Sequence, residues 1–203
     1  MAVVLNGNKM ARTKGFNQEE VLDKAVQLFW TNGYNATSAN DLVKELGLSR
    51  SSLYDTYGDK RTLFINSLKR YRETIVLEML HMIDNSTNIK HTIKEVFRLT
   101  IEQDIEAKIP KGCFVVNSAI ELSSNDTEIA EIVKLNQIEF EETLEKAILK
   151  GQKEGSISNT QNATYLAKFL YNSIVGIRVS MKYNKLRTSL DEITKINLSI
   201  LDN

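Results

Sequence analysis

Thr37-Ser38-Ala39-Asn40-Asp41-Leu42-Val43-Lys44-Glu45-Leu46-Gly47-Leu48-Ser49-Arg50-Ser51-Ser52-Leu53-Tyr54 reads as two short helices joined by the three-residue turn Gly47-Leu48-Ser49. Ser38 followed by Asp41 has the spacing of a capping box, in which each side chain satisfies the other residue's free backbone N–H. Leu42, Val43 and Leu46 give the first helix an apolar side, and Gly47 supplies the left-handed residue that stops it. Ser49 caps the second helix, Arg50 to Thr56, with Leu53 and Tyr57 as its inward anchors. This is a helix-turn-helix, in which one helix packs across the other so that the second projects. Arg50, Ser51 and Ser52 are short polar or basic side chains suited to reaching base edges in a major groove. A solvated helix face is the competing reading of the same three residues.

The segments on either side read as helices as well. Asn17 with Glu20 starts the first, Val21, Ala25, Leu28 and Phe29 share one face of it, and Asn32-Gly33 ends it. Gly58 and Asp59 break and restart the chain into a long helix from Lys60 to about Asp84. The pattern predicts further helices near 88–106, 113–123, 126–153, 160–184 and 189–201, with Pro110-Lys111-Gly112 the clearest interruption. Asn125 with Glu128, and Ser189 with Glu192, are candidate capping boxes. No stretch alternates as a strand, so the expected fold class is all-α.

Composition sets the bounds. In 203 residues, 42% are hydrophobic and 26% charged, with one Pro and nine Gly, which excludes a disordered or collagen-like chain. The net charge of zero hides a split: residues 1–72 carry eleven Lys/Arg against seven Asp/Glu, and residues 73–203 fifteen against nineteen. A basic head on an acidic body is the arrangement this suggests. The single cysteine, Cys113, excludes an intrachain disulfide and fits a reducing compartment. No apolar run is long enough to span a membrane. Ala2 to Leu5 is too short for a signal-peptide core, so a cytoplasmic location is expected. Met10 is a second plausible start, and residues 1–15 are expected to form a tail in which Arg12 and Lys14 make a basic arm.

Thr37-Ser38, Gly47-Leu48-Ser49, Leu53-Tyr54, Tyr57 and Lys60 fall where TetR-family repressors carry the same or similar residues, and the whole stretch Phe29 to Phe64 resembles that family's DNA-binding domain. The resemblance includes Phe29-Trp30-Thr31-Asn32-Gly33-Tyr34 and Lys60-Arg61-Thr62-Leu63-Phe64. Asp55-Thr56-Tyr57-Gly58 departs from it, since relatives more often have a basic or polar residue and then Phe. The resemblance implies a DNA-binding domain over 16–60 and a ligand-binding and dimerisation domain over 61–203. It implies that Thr37, Ser38, Tyr54 and Lys60 sit on phosphates of double-stranded operator DNA while Arg50, Ser51 and Ser52 sample the major groove.

It also implies a homodimer released from DNA by a small-molecule effector. Leu166, Phe169, Leu170, Ile174, Ile177 and Met181, with Ile193, Ile196 and Ile200, are the candidate dimer stripes, and the competing reading is that both face their own core. Candidate walls of the effector pocket are Phe97, Gln103, Cys113, Phe114, Asn117, Phe140, Tyr165 and Asn172. Cys113 follows Lys111-Gly112 at a helix start, where a cation and the helix dipole can lower a thiol pKa, and the run Gly112 to Ala119 resembles a segment in a subset of TetR-like regulators, some of which respond to electrophiles. A small buried hydrophobe is the other reading of that residue.

No cofactor and no metal are expected. His81 and His91 lie ten apart, without the spacing of paired helical ligands, and the Glu residues over 128–145 read as one solvated face. A cysteine-dependent enzyme and a helical protein-interaction module without DNA binding remain the alternatives.

Overall fold

The computed structural model describes residues 16–202, and these form ten α-helices with no strand among them. The expected tail, the Arg12 and Lys14 arm and the Met10 start lie outside the described residues.

Caps and glycines fix the ends of the head helices. Asn17 is extended and its side chain accepts from Glu19 N, opening α1 (Gln18–Asn32), which Gly33 closes at φ +82°. Ser38 and Asp41 form the reciprocal box that starts α2 (Ala39–Leu46), and Gly47 ends it in the left-handed region at φ +67°. Ser49 accepts from Ser52 N to open α3 (Arg50–Tyr57), and Asp59 accepts from Thr62 N to open α4 (Lys60–Tyr71). Val21, Ala25, Phe29, Leu42, Leu46, Leu53, Leu63 and Phe64 are buried between these four helices.

The long helix expected from Lys60 to Asp84 is present with one irregularity. Arg72–Val76 widens into a π turn in which Leu77 N–H donates to Arg72 O, five residues back, before α5 (Leu77–Asp84) resumes. Such a turn admits one extra residue into a helix, and π turns recur at functional sites.

The body consists of α6 (Ile89–Ile105), α7 (Phe114–Leu122), α8 (Thr127–Glu154), α9 (Ala163–Ser180) and α10 (Arg187–Ser199). α8 packs along α9, α7 and α5, while α6 lies against α9 and α10. Two expected caps need correction. Asp126, not Asn125, caps α8 by accepting from Glu128 N and Ile129 N. α10 begins at Arg187 behind Leu186, with no side-chain cap, which leaves Ser189 inside its first turn. No described helix is long and apolar enough to cross a membrane.

Candidate nucleic-acid interface and interior cavity

The exposed end of the head is built from α2 and α3. Ser38 Oγ accepts from Asp41 N at 3.2 Å, and Asp41 Oδ2 accepts from Ser38 N at 2.8 Å and from Ser38 Oγ at 2.6 Å. These bonds, led by the Ser38 hydroxyl, hold the Asp41 carboxyl below its ordinary value. Across the turn, Ser49 Oγ lies 3.0 Å from Ser51 Oγ and 2.9 Å from Ser52 Oγ. Arg50 is exposed, and its guanidinium reaches Asn40 Oδ1 on α2 at 3.3 Å. That contact steers the cation outward without covering it.

Behind this face, Tyr57 Oη donates to Gln18 O at 3.1 Å and ties α3 to the start of α1. Lys60 Nζ sits 4.3 Å from the Tyr34 ring centre, and burial pulls its ammonium below the ordinary lysine value. Tyr54 is half-buried against the head core. Thr37 requires a correction as a phosphate contact: it is buried, and its hydroxyl donates to Gly33 O at 2.6 Å, so it braces the α1–α2 loop.

A second set of contacts joins head to body. Glu121 on α7 accepts from Tyr34 N at 3.0 Å and Asn35 N at 2.7 Å, clasping the α1–α2 loop. Gly33 is needed there for its left-handed φ, and a Cβ would stand 2.9 Å from Glu121 Oε2, so the carboxylate would have to shift to admit one. Trp30 Nε1 donates to Gly112 O at 3.1 Å, and Lys111 Nζ donates to Gln27 Oε1 at 2.7 Å. Arg61 at the start of α4 forks onto Asp126 at 2.6 and 2.8 Å and reaches Glu128 at 3.0 Å. The aromatic rings continue the connection inward, Phe29 to Phe64 to Phe114 to Tyr71 to Trp30, each pair edge-on within 5.7 Å.

Within that series Tyr71 borders a small, partly open cavity in the body. Tyr71, Ile75, Val76, Met79, Cys113, Val116, Asn136, Phe140, Tyr171, Ile174, Val175 and Arg178 line it. Its volume is about 30 Å³, room for one or two waters. Of the expected walls, Cys113 and Phe140 are in place, while Gln103 lines a separate open groove between α5 and α6. Phe97 and Phe114 are packed into the core, and Asn117 is occupied in accepting from Lys182 Nζ and donating to Lys111 O. Tyr165 and Asn172 point outward from α9, Tyr165 being 70% exposed, and neither lines the cavity. Cys113 is buried, with Tyr71 Oη 3.7 Å from its Sγ.

The polar wall residues that the sequence did not reveal are Tyr71, Asn136, Tyr171 and Arg178. Burial pushes the Tyr171 phenol up to about 12 and raises Tyr71 as well, so both stay protonated. Arg178 carries a signal that could have found it: it stands in phase with Ile174, Ile177 and Met181, a charge set into an apolar stripe.

Comparison with known proteins agrees with this architecture. The model of bacterial regulatory proteins of the tetR family matches residues 21–66, and that of the tetracyclin repressor-like C-terminal domain matches residues 91–196. The chain is 30% identical over 186 residues to the HTH-type transcriptional repressor ComR of Escherichia coli, spanning 91% of this chain and 87% of ComR. The chain belongs to the TetR family. A second TetR-family relative, the uncharacterized HTH-type transcriptional regulator YezE of Bacillus subtilis, is 29% identical over 194 residues, 95% of this chain and all of YezE. Among solved structures, a cysteine mutant of the TetR family regulator CifR complexed with 26-base-pair operator DNA superposes with a TM-score of 0.81, at 21% identity and 93% and 98% coverage.

As a TetR-family chain, this is a transcriptional regulator, and the structure gives the placement of the α9 and α10 residues expected in a dimer stripe. Leu166, Leu170, Ile174, Ile177 and Met181 are buried within their own subunit, which corrects their expected place in a dimer stripe. The periodicity had located the core-facing side of α9. Phe169, Ile193 and Ile196 are the expected residues that do stand outside, Ile196 at 69% exposure, and Ile200 is half-buried. Tyr165 joins Phe169 on the same turn-spaced row of α9, and Gly176, two turns on, has nothing within 4 Å of where a Cβ would sit.

Proposed function

We propose that this TetR-family regulator represses transcription by binding a palindromic operator as a homodimer, and that a small molecule occupying the interior cavity releases it. The observation that carries the reading is the exposed Arg50 guanidinium at the start of a rigidly capped α3. In this reading Arg50, Ser51 and Ser52 enter the major groove. Ser38, Tyr54 and Lys60 face phosphates, which add affinity without sequence information. The CifR complex with operator DNA, a protein of the same fold, supports a DNA-binding role for the head.

One short helix reads few base pairs, and a twofold pair of them reads half-sites about 34–36 Å apart. We assign the dimer face to Tyr165, Phe169, Ile193 and Ile196. Residues 16–60 then act as the DNA-reading unit and 61–203 as the effector and dimer unit, in a cytoplasmic protein. The division is bridged by the Glu121, Trp30 and Arg61 contacts. An effector that shifts α7 or the π turn would move the heads through them, with a coupling on the order of 1–3 kcal/mol.

The test is a mobility-shift titration on the fragment upstream of the chain's own gene, at low and at moderate salt. Retention of the fragment by the dimer, with weakening as salt rises, is expected. Failure to retain it over unrelated DNA even at low salt would refute the reading.

A further inference from the structure

We propose that the interior cavity takes a carboxylate, with Arg178 as its counter-ion. The inference deepens the effector reading above and rests on that cavity being the ligand site. Arg178 is 7% exposed and shares a hydrogen bond with the Tyr71 hydroxyl, yet no Asp or Glu side chain of the described residues forms an ion pair with it. Asp104, the carboxylate whose charge reaches it, is already used: it accepts from Lys111 N at 2.9 Å and from Gly112 N. A guanidinium cannot shed its proton inside a protein, and a buried charge without an anionic partner is costly. Replacing such a group with an apolar one is commonly neutral or stabilising, so its presence at a cavity calls for a ligand to complete it.

The other polar groups around the cavity have the same polarity. Tyr171 is a neutral phenol whose O–H group can donate, Tyr71 Oη is turned to Cys113 Sγ at 3.7 Å, and Asn136 Oδ1 is taken by Arg72 Nε at 3.2 Å. A cation, the Tyr171 O–H donor and a wall of Ile75, Val76, Met79, Phe140, Ile174 and Val175 suit a monoanion with an apolar body. The planar fork of Arg matches a carboxylate better than a point charge would. At its present volume the cavity admits only water, and a route for opening is visible. Ile75 and Met79 line both the cavity and the open groove of about 620 Å³ between α5 and α6, and Ile75 belongs to the π turn. Displacing these two side chains joins the spaces, with the carboxylate inside at Arg178 and the apolar body directed toward Met82 and Leu99.

Calorimetric titration of the purified dimer with benzoate and octanoate, against benzamide and octanamide, tests the assignment. The acids are expected to bind and the amides to bind about 10- to 100-fold more weakly. Arg178→Met is expected to lose acid binding and, without ligand, to melt a few degrees above the parent. Arg178→Lys is expected to retain weakened acid binding. Binding of neither acid, equal binding of acid and amide, or an Arg178→Met protein that melts below the parent would each overturn it. Operator release is read separately by fluorescence anisotropy. Acid binding without release leaves the carboxylate site standing and removes its effector role. Release by other compounds with no acid binding overturns the site and keeps the regulator.

Discussion

Replacing Glu121 with Ala removes the clasp between body and head without touching any residue assigned to DNA. Its carboxylate accepts from Tyr34 N, which is partly buried, and from Asn35 N, which is exposed. Hydrogen bonds to a charged group contribute about 1.5–3 kcal/mol each, the buried one toward the upper end, while water replaces most of the exposed one. The expected loss is therefore about 2–3 kcal/mol. For a chain of this size that lowers the melting temperature by about 4–12 °C. Urea unfolding at fixed protein concentration measures it, because a dimer's apparent stability depends on concentration. Glu121→Gln keeps one acceptor oxygen and no charge, and should fall between the parent and Glu121→Ala. Operator affinity should weaken in the same order, since the loop that Glu121 holds carries Ser38 and the start of α2. A loss below about 0.5 kcal/mol, the ordinary range for a surface substitution, would refute the clasp.

Three further outcomes follow from the same geometry. Gly33→Ala should cost about 1–3 kcal/mol from its left-handed backbone alone. In the Glu121→Ala background it should cost less than in the parent, because the 2.9 Å approach disappears; equal costs in urea titrations of the two backgrounds would contradict the contact. Asp126 is held at about 2 chiefly by its hydrogen bond from Arg61, below its ordinary 3.8. Its contribution to stability is therefore complete above about pH 5 and is lost as pH falls through 4 toward 2. Asp126→Asn should flatten that acid limb in pH-dependent denaturation, and an unchanged limb would count against the Arg61 fork. Ile196→Asp with Phe169→Asp should yield monomers in light scattering while circular dichroism stays helical. A dimer that survives both changes would remove the α9–α10 face from the interface.

The head was legible because its structure is local. Ser38 with Asp41, Gly47, and Ser49 ahead of Arg50 each fix a cap or a φ within four residues, and the structure places them as read. The Asn125 and Asp126 pair shows the limit: both side chains can cap, and sequence does not say which of two neighbours takes the extended conformation. On α9 the period identified an apolar side correctly but not what covers it, so Leu166 to Met181 were equally good as core and as interface. Thr37 looked exposed in a polar loop, and the Gly33 carbonyl that takes its hydroxyl comes from the turn before. Glu121 with Tyr34, and Arg178 with Tyr71, are contacts across the fold between residues more than eighty apart, for which periodicity and capping carry no signal.

The central claim is that Arg50 reads a base, and a base-substitution scan tests it most directly. Operator affinities of the parent and of Arg50→Ala are measured by anisotropy against duplexes altered one base pair at a time in both half-sites. The account predicts one guanine per half-site whose replacement costs the parent about 1–3 kcal/mol and costs Arg50→Ala almost nothing. An Arg50→Ala protein that still discriminates every position as the parent does would contradict it.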